Sequence, residues 1–193
     1  MVSPIRRHHV NTRTEPFKVF VAANPDFADA HFHLALAYDL KGRLSRRTSP
    51  LKKPDKNYTA LVLEEFKAAL GLDPNLWFAS YMIAVDSLNN GDFEVAIEYY
   101  QRAIQAKADS SIVYDGMARA YYQLGEYGKA IELYNKAITL DEDFAQNHHE
   151  LGLTYLKQGN RQKAAEQLEI LRELNVNFYE ALKRAIKDNI NER

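Results

Sequence analysis

The 193-residue chain has no cysteine, which excludes disulfides, thiolate metal sites and cysteine nucleophiles and leaves stability to core packing. It has no run of eighteen apolar residues, and its first twenty residues mix Arg6, Arg7, His8, His9 and Arg13 without an apolar signal-like stretch. Neither membrane insertion nor export is expected, and a cytoplasmic location is the default. A glycine-rich phosphate loop is also missing, because Gly128-Lys129 lacks the Ser or Thr that must follow. Metal chemistry finds no better footing. His148, His149 and Glu150 are consecutive and fan over different faces of a helix, whereas helical zinc ligands stand three or four apart. His8 and His9 fall in a weakly patterned basic tail. The expectation is therefore no catalytic constellation, no metal, no cofactor and no enzyme.

Charge of one sign is scarce overall, the formal net charge being −1, yet it is unevenly placed. Residues 1–60 hold 11 Lys+Arg against 5 Asp+Glu, and residues 61–193 hold 14 against 21. The basic excess lies mostly in two proline-containing stretches, 1–16 and 43–56, which read as basic appendages on a mildly acidic body. Nucleic-acid recognition needs such charges on ordered faces with aromatic platforms between them, so a nucleic-acid-associated factor is a distant alternative. Within the second stretch, Arg46-Arg47-Thr48-Ser49 has the form of a basophilic kinase target, and Asn57-Tyr58-Thr59 is a formal glycosylation sequon without meaning unless the chain is exported.

What the sequence does contain is a period. Gly91, Gly125 and Gly159 are 34 residues apart, and each is followed five residues later by Ala96, Ala130 or Ala164. Upstream, in the same register, stand Ile83-Ala84, Met117-Ala118 and Leu151-Gly152; downstream stand Tyr100 with Ala103, Tyr134 with Ala137 and Leu168 with Leu171. A fixed period of this length means stacked units that cannot bury their apolar faces alone. Two antiparallel helices per unit explain the residue types. Glycine ends the first helix in a left-handed turn without a Cβ penalty, and the small residues sit where helix axes approach most closely.

These residues and spacings resemble the tetratricopeptide repeat, most fully from Ala118 to Ala137, and the resemblance covers about residues 24–176. It implies an all-α fold, an α-solenoid forming a right-handed superhelix of antiparallel helix pairs. The expected organisation is a basic tail with a degenerate helix over 1–23, four repeats at 24–74, 75–108, 109–142 and 143–176, and a capping helix over 177–193. The cap places Tyr179, Leu182, Ile186 and Ile190 on one apolar face. The first repeat pairs Leu34-Ala35, Tyr38 and Gly42 with Val62, Phe66 and Ala69. Its surplus residues predict a basic loop at about 43–57, which is cheap because lengthening a surface loop costs only about 0.6 kcal/mol per doubling. His31 and His148 share one repeat position and are expected to be packing residues.

In this family the second, fifth, sixth and ninth residues of each repeat usually line a concave groove. Carried onto this chain, the resemblance implies a peptide-binding lining of Phe32, His33, Leu36, Phe78, Tyr81, Met82 and Val85, then Ile112, Asp115, Arg119, His149, Glu150 and Leu153. The first set is mainly apolar and the second mainly polar. The family's subgroup that clamps chaperone C-terminal carboxylates uses lysine and asparagine where this chain has Phe32, Leu36 and Met82, which argues against that ligand. The implied function is a non-enzymatic scaffold or adaptor that holds a partner protein or peptide for complex assembly or client escort. The alternative is a self-associating structural protein, a homo-oligomer whose groove takes an N-terminal segment.

Overall fold

The computed structural model describes residues 14–48, 56–106 and 108–191. Within them lie ten helices and no strand: α1 (Glu15–Ala23), α2 (Ala28–Thr48), α3 (Lys56–Leu72), α4 (Trp77–Asn90), α5 (Phe93–Gln105), α6 (Ser111–Gln123), α7 (Tyr127–Leu140), α8 (Ala145–Gln158), α9 (Arg161–Leu174) and α10 (Val176–Asn191). The chain divides into two compact units, one through Ile83 and one from Ala84. The histidine pair His8-His9, Ser49 of the kinase-type string, and residues 49–55 of the expected loop lie outside the described residues.

In the first unit, α2 and α3 pack as an antiparallel pair around Leu34, Ala35, Tyr38, Val62, Phe66 and Ala69, all buried. The expected loop is corrected in part. The helix does not stop at Gly42 but runs to Thr48, so the stretch assigned to loop from residue 43 begins as helix. Nothing in Lys41-Gly-Arg-Leu-Ser-Arg-Arg-Thr48 breaks a helix, since a glycine inside one costs only about 1 kcal/mol. The sequon at Asn57 falls in the opening of α3. Ahead of the pair, α1 carries proline in its first turn, where the missing N–H loses nothing.

His31 joins these pieces. Its Nδ1 lies 2.7 Å from Glu65 Oε2 on α3 and its Nε2 2.9 Å from the Pro25 carbonyl. The second unit repeats the arrangement, with His148 Nδ1 2.8 Å from Gln167 Oε1 and Nε2 3.1 Å from the Glu142 carbonyl. The shared position is thus a polar tie between the two helices and the preceding turn, more than the packing residue the sequence suggested.

In the second unit the pairs α6–α7 and α8–α9 stack, and α10 closes the end. Their core holds Ala118, Ala130, Tyr134, Leu151, Tyr155, Ala164, Leu171 and Leu182. Three glycines carry the turns, with φ of 87° at Gly91, 78° at Gly125 and 85° at Gly159. Each turn closes with the same bond across the helix end: Asp92 N to Ser87 O at 2.9 Å, Glu126 N to Tyr121 O at 2.9 Å, and Asn160 N to Tyr155 O at 2.8 Å. This is the hydrogen-bond pattern that satisfies the last carbonyls of a helix through a left-handed residue.

The close helix crossings are equally specific. A Cβ placed on Gly116 would fall 2.3 Å from the Tyr100 hydroxyl oxygen, and one on Gly152 would fall 2.5 Å from a Leu182 methyl. Leu182 is the fully buried anchor of α10. The far end of that helix is tied back where Arg161 Nε donates to Asn189 Oδ1 at 2.9 Å and its Nη2 to the Asn189 carbonyl at 2.6 Å.

Candidate partner-binding site

In the first unit, helical spacing sets the predicted side chains on one side of their helices, with Phe32, His33 and Leu36 on α2 and Phe78, Tyr81 and Met82 on α4. The rings form a connected row. Phe32 meets Phe78 edge to face at 6.2 Å between centroids, and Phe78 meets Tyr81 at 5.8 Å. Phe32 is anchored from below by the fully buried Phe66 at 5.8 Å. Phe32, Leu36, Phe78, Tyr81 and Met82 are all half-buried, so the row is neither sealed in a core nor freely displayed. Edge-to-face contacts of this kind hold rings in place beyond the effect of area alone.

Trp77 belongs to this row and was missed. It meets Phe78 at 5.5 Å and Tyr81 at 6.5 Å. Its spacing of four from Tyr81 was the available signal, overlooked because the position precedes the family's lining positions. His33 is stacked against Phe17 of α1 with centroids 6.1 Å apart and planes 10° from parallel. Phe17, Phe20, Phe27 and His33 line a shallow hollow of about 450 Å³.

The second unit presents a different chemistry. Ile112 and Arg119 are exposed on α6, and Val85, Glu150 and Leu153 are half-buried. His149 packs its ring on Phe178 of α10 at 4.9 Å between centroids. Asp115 lies deeper than a lining residue should, at 8% exposure, and its Oδ1 has no hydrogen-bond partner. Burial and the nearby Glu150 push its carboxyl up to about 6, against the opposing pull of Arg119. Tyr134, from α7, is driven far above the usual phenol range by burial, with Glu150 and then Asp115 adding to it.

The described residues contain no group of three or more His, Cys, Asp or Glu placed to hold a metal ion. Nor is any helix among them long and apolar enough to cross a membrane.

Comparison with known proteins agrees with the helix geometry. One family model, a TPR repeat, matches residues 118–159, and another, a tetratricopeptide repeat, matches residues 87–137. No curated protein matches the sequence. Among solved structures, a crystal structure of MamA is similar at a TM-score of 0.68 and 20% identity, covering 97% of this chain and 94% of that one. MamA from Desulfovibrio magneticus RS-1, residues 41 to the end, is similar at 0.69 and 20% identity over 88% of each chain. A chain of the APC/C hetero-tetramer Cut9-Hcn1 is similar at 0.62 and 18% identity, over 92% of this chain and 39% of that one. At such identities these likenesses speak for the fold, an α-solenoid of helix pairs. With the 34-residue register, the left-handed glycine turns and the matched repeat models, they lead to one conclusion: residues 87–159 carry tetratricopeptide repeats.

Proposed function

We propose that this chain is a non-enzymatic scaffold that binds a partner protein or peptide through the side chains its first helices present. The observation that carries this reading is the ring row Phe32, Phe78, Tyr81 and Trp77. Those rings are held in mutual contact on a buried base, yet only half-covered. Rigid, partly exposed aromatics concentrate binding energy because little side-chain freedom is lost when a partner covers them. A partner segment with two or three large apolar anchors fits that chemistry. Each anchor contributes about 1.5–3 kcal/mol on full burial, and association with ordering removes at least about 4, so an isolated peptide should bind in the micromolar range.

The test is affinity capture from the native source with the intact chain and with a Tyr81→Ala, Met82→Glu double variant whose helicity matches the parent. The partner should be retained by the parent and weakened at least about tenfold in the variant. Full retention by a folded double variant would remove the ring row from the binding surface.

A second reading, self-association through an N-terminal segment, draws support from α1. Its Phe17 stacks on His33, and Phe20 and Val19 stay exposed. Sedimentation of the full chain beside a form lacking residues 1–23 separates the two, because only self-association predicts a mass that depends on that segment.

A further inference from the structure

The geometry points to an aromatic cage in the first unit for the methylated ammonium group of a lysine side chain, formed by Phe17 and Phe20 of α1, by Phe27, and by Asp29 and His33 of α2. The cage adds to the partner-binding reading and rests on it for the source of that lysine, a partner protein.

The hollow these residues line has a volume of about 450 Å³. Two ring pairs wall it. Phe17 stacks on His33 with centroids 6.1 Å apart and planes 10° from parallel, and Phe20 meets Phe27 at 5.9 Å with planes 72° apart. The rings are within a ligand's reach, because Phe20 is 47% and Phe27 49% exposed and His33 is exposed beside them. The His33 ring is held in place where its Nδ1 donates to the Asp29 carbonyl at 2.7 Å. Aromatic faces carry the negative side of a quadrupole and attract a cation lying within about 6 Å of the ring centroid.

Charge decides the occupant. The lining holds one acid, Asp29, and no lysine or arginine. Asp29 is exposed, and among the described residues its carboxylate joins no ion pair or hydrogen bond. The lysine of α1, Lys18, is engaged elsewhere, its Nζ 3.0 Å from Glu15 Oε1 and 5.9 Å from the Tyr38 ring centroid. An aromatic hollow with a negative rim and no cation of its own is complementary to a positive group. Methylation then selects among cations. An unmodified ammonium has three N–H donors that must exchange water for other acceptors, and here the Asp29 carboxylate alone offers them. A trimethylated ammonium has no N–H to satisfy and presents methyl groups to the rings while keeping its charge. Phosphocholine carries the same ammonium beside a phosphate, which this lining has no cation to receive.

The experiment is an amide NMR titration of the full chain with N-acetyl-trimethyllysine amide. Beside it run the neutral isostere bearing a tert-butyl group in place of trimethylammonium, N-acetyl-lysine amide, and phosphocholine. Saturable shifts are expected at residues 17, 20, 27, 29 and 33, with trimethyllysine bound about tenfold more tightly than each of the other three probes. Phe20→Leu keeps apolar surface but removes a ring, and Asp29→Asn removes the charge; both positions are exposed, so the fold is retained. Each variant should weaken trimethyllysine about threefold or more and leave the isostere unchanged. Equal binding of the isostere would make the hollow an apolar surface without cation selectivity, equal binding of lysine would remove the role of methylation, and equal binding of phosphocholine would assign the hollow to a lipid headgroup. Any of these, an absence of saturable shifts, or trimethyllysine binding unchanged in both variants overturns the cage. The partner-binding reading fails separately, when partner capture is insensitive to Tyr81→Ala and Met82→Glu, and the two failures are thereby distinguishable.

Discussion

Replacing Gly116 by alanine sets two known effects against each other. Alanine inside a helix is favoured over glycine by about 1 kcal/mol, and Gly116 is interior to α6. On that ground alone the variant should be more stable. The added Cβ, however, would lie 2.3 Å from the Tyr100 hydroxyl oxygen, 2.4 Å from Cζ and 2.7 Å from Cε1. Tyr100 is 1% exposed on α5, so its ring cannot swing into solvent and α5 and α6 must separate. Overpacking of this kind costs about 1–3 kcal/mol. The balance should be a loss of up to about 2 kcal/mol, which in a chain of this size lowers Tm by several degrees, at about 2–4 °C per kcal/mol. Gly128→Ala is the matched control. Gly128 lies in the first turn of α7 with nothing within 4 Å of the added carbon, so only the propensity gain of up to about 1 kcal/mol applies. Thermal melts followed by circular dichroism at 222 nm should move in opposite directions for the two variants. A Gly116→Ala melt at or above the parent's would refute the close crossing.

Two predictions concern pH. His31 has a hydrogen-bond acceptor at each ring nitrogen, so both nitrogens must carry protons. Burial pulls its pKa down, but the Glu65 hydrogen bond, the Pro25 carbonyl and the Glu65 charge together raise it above the ordinary imidazole value of 6.5. The folded state therefore binds the proton more tightly than the unfolded chain. This contribution is full below pH 6.5 and is lost as pH rises through the raised value, so His31→Gln should flatten the pH dependence of melting on the alkaline side. For Asp115 the folded carboxyl, at about 6 against an ordinary 3.8, also holds its proton more tightly, so stability falls as pH climbs from about 4 to about 6. Asp115→Asn should therefore raise Tm at pH 7, by on the order of 1–3 kcal/mol of stability, and do little at pH 4. An unchanged melt at pH 7 would contradict its burial as a carboxylate.

The framework of helix pairs was readable because it depends on backbone constraints that few residues meet. Only glycine adopts the left-handed turn at 91, 125 and 159 freely, and only a small residue fits at Ala118, Ala130 or Gly152. What the sequence could not display is depth and partnership. Helical spacing put Asp115 on the same face as Ile112 and Arg119 but did not reveal that it is buried while they are exposed. Spacing also paired His31 with His148 without revealing the bonds to Glu65 and Gln167, which come from residues far along the chain. The length of α2 was misread because a surplus of basic residues looks like loop, whereas a helix ends only where something breaks it. Trp77 shows the limit of a family template, since its ring joins Phe78 and Tyr81 from a position the template does not count.

The central claim is that the first helices of the repeats hold a partner, and site-specific photocrosslinking tests it most directly. A photoreactive phenylalanine analogue placed at Phe78 on α4 or at Ile112 on α6 should crosslink to the captured partner. The same probe at Glu132, an exposed position on the second helix α7, should not. Crosslinking from Glu132 with none from Phe78 or Ile112 would contradict the account and move the binding surface to the second helices.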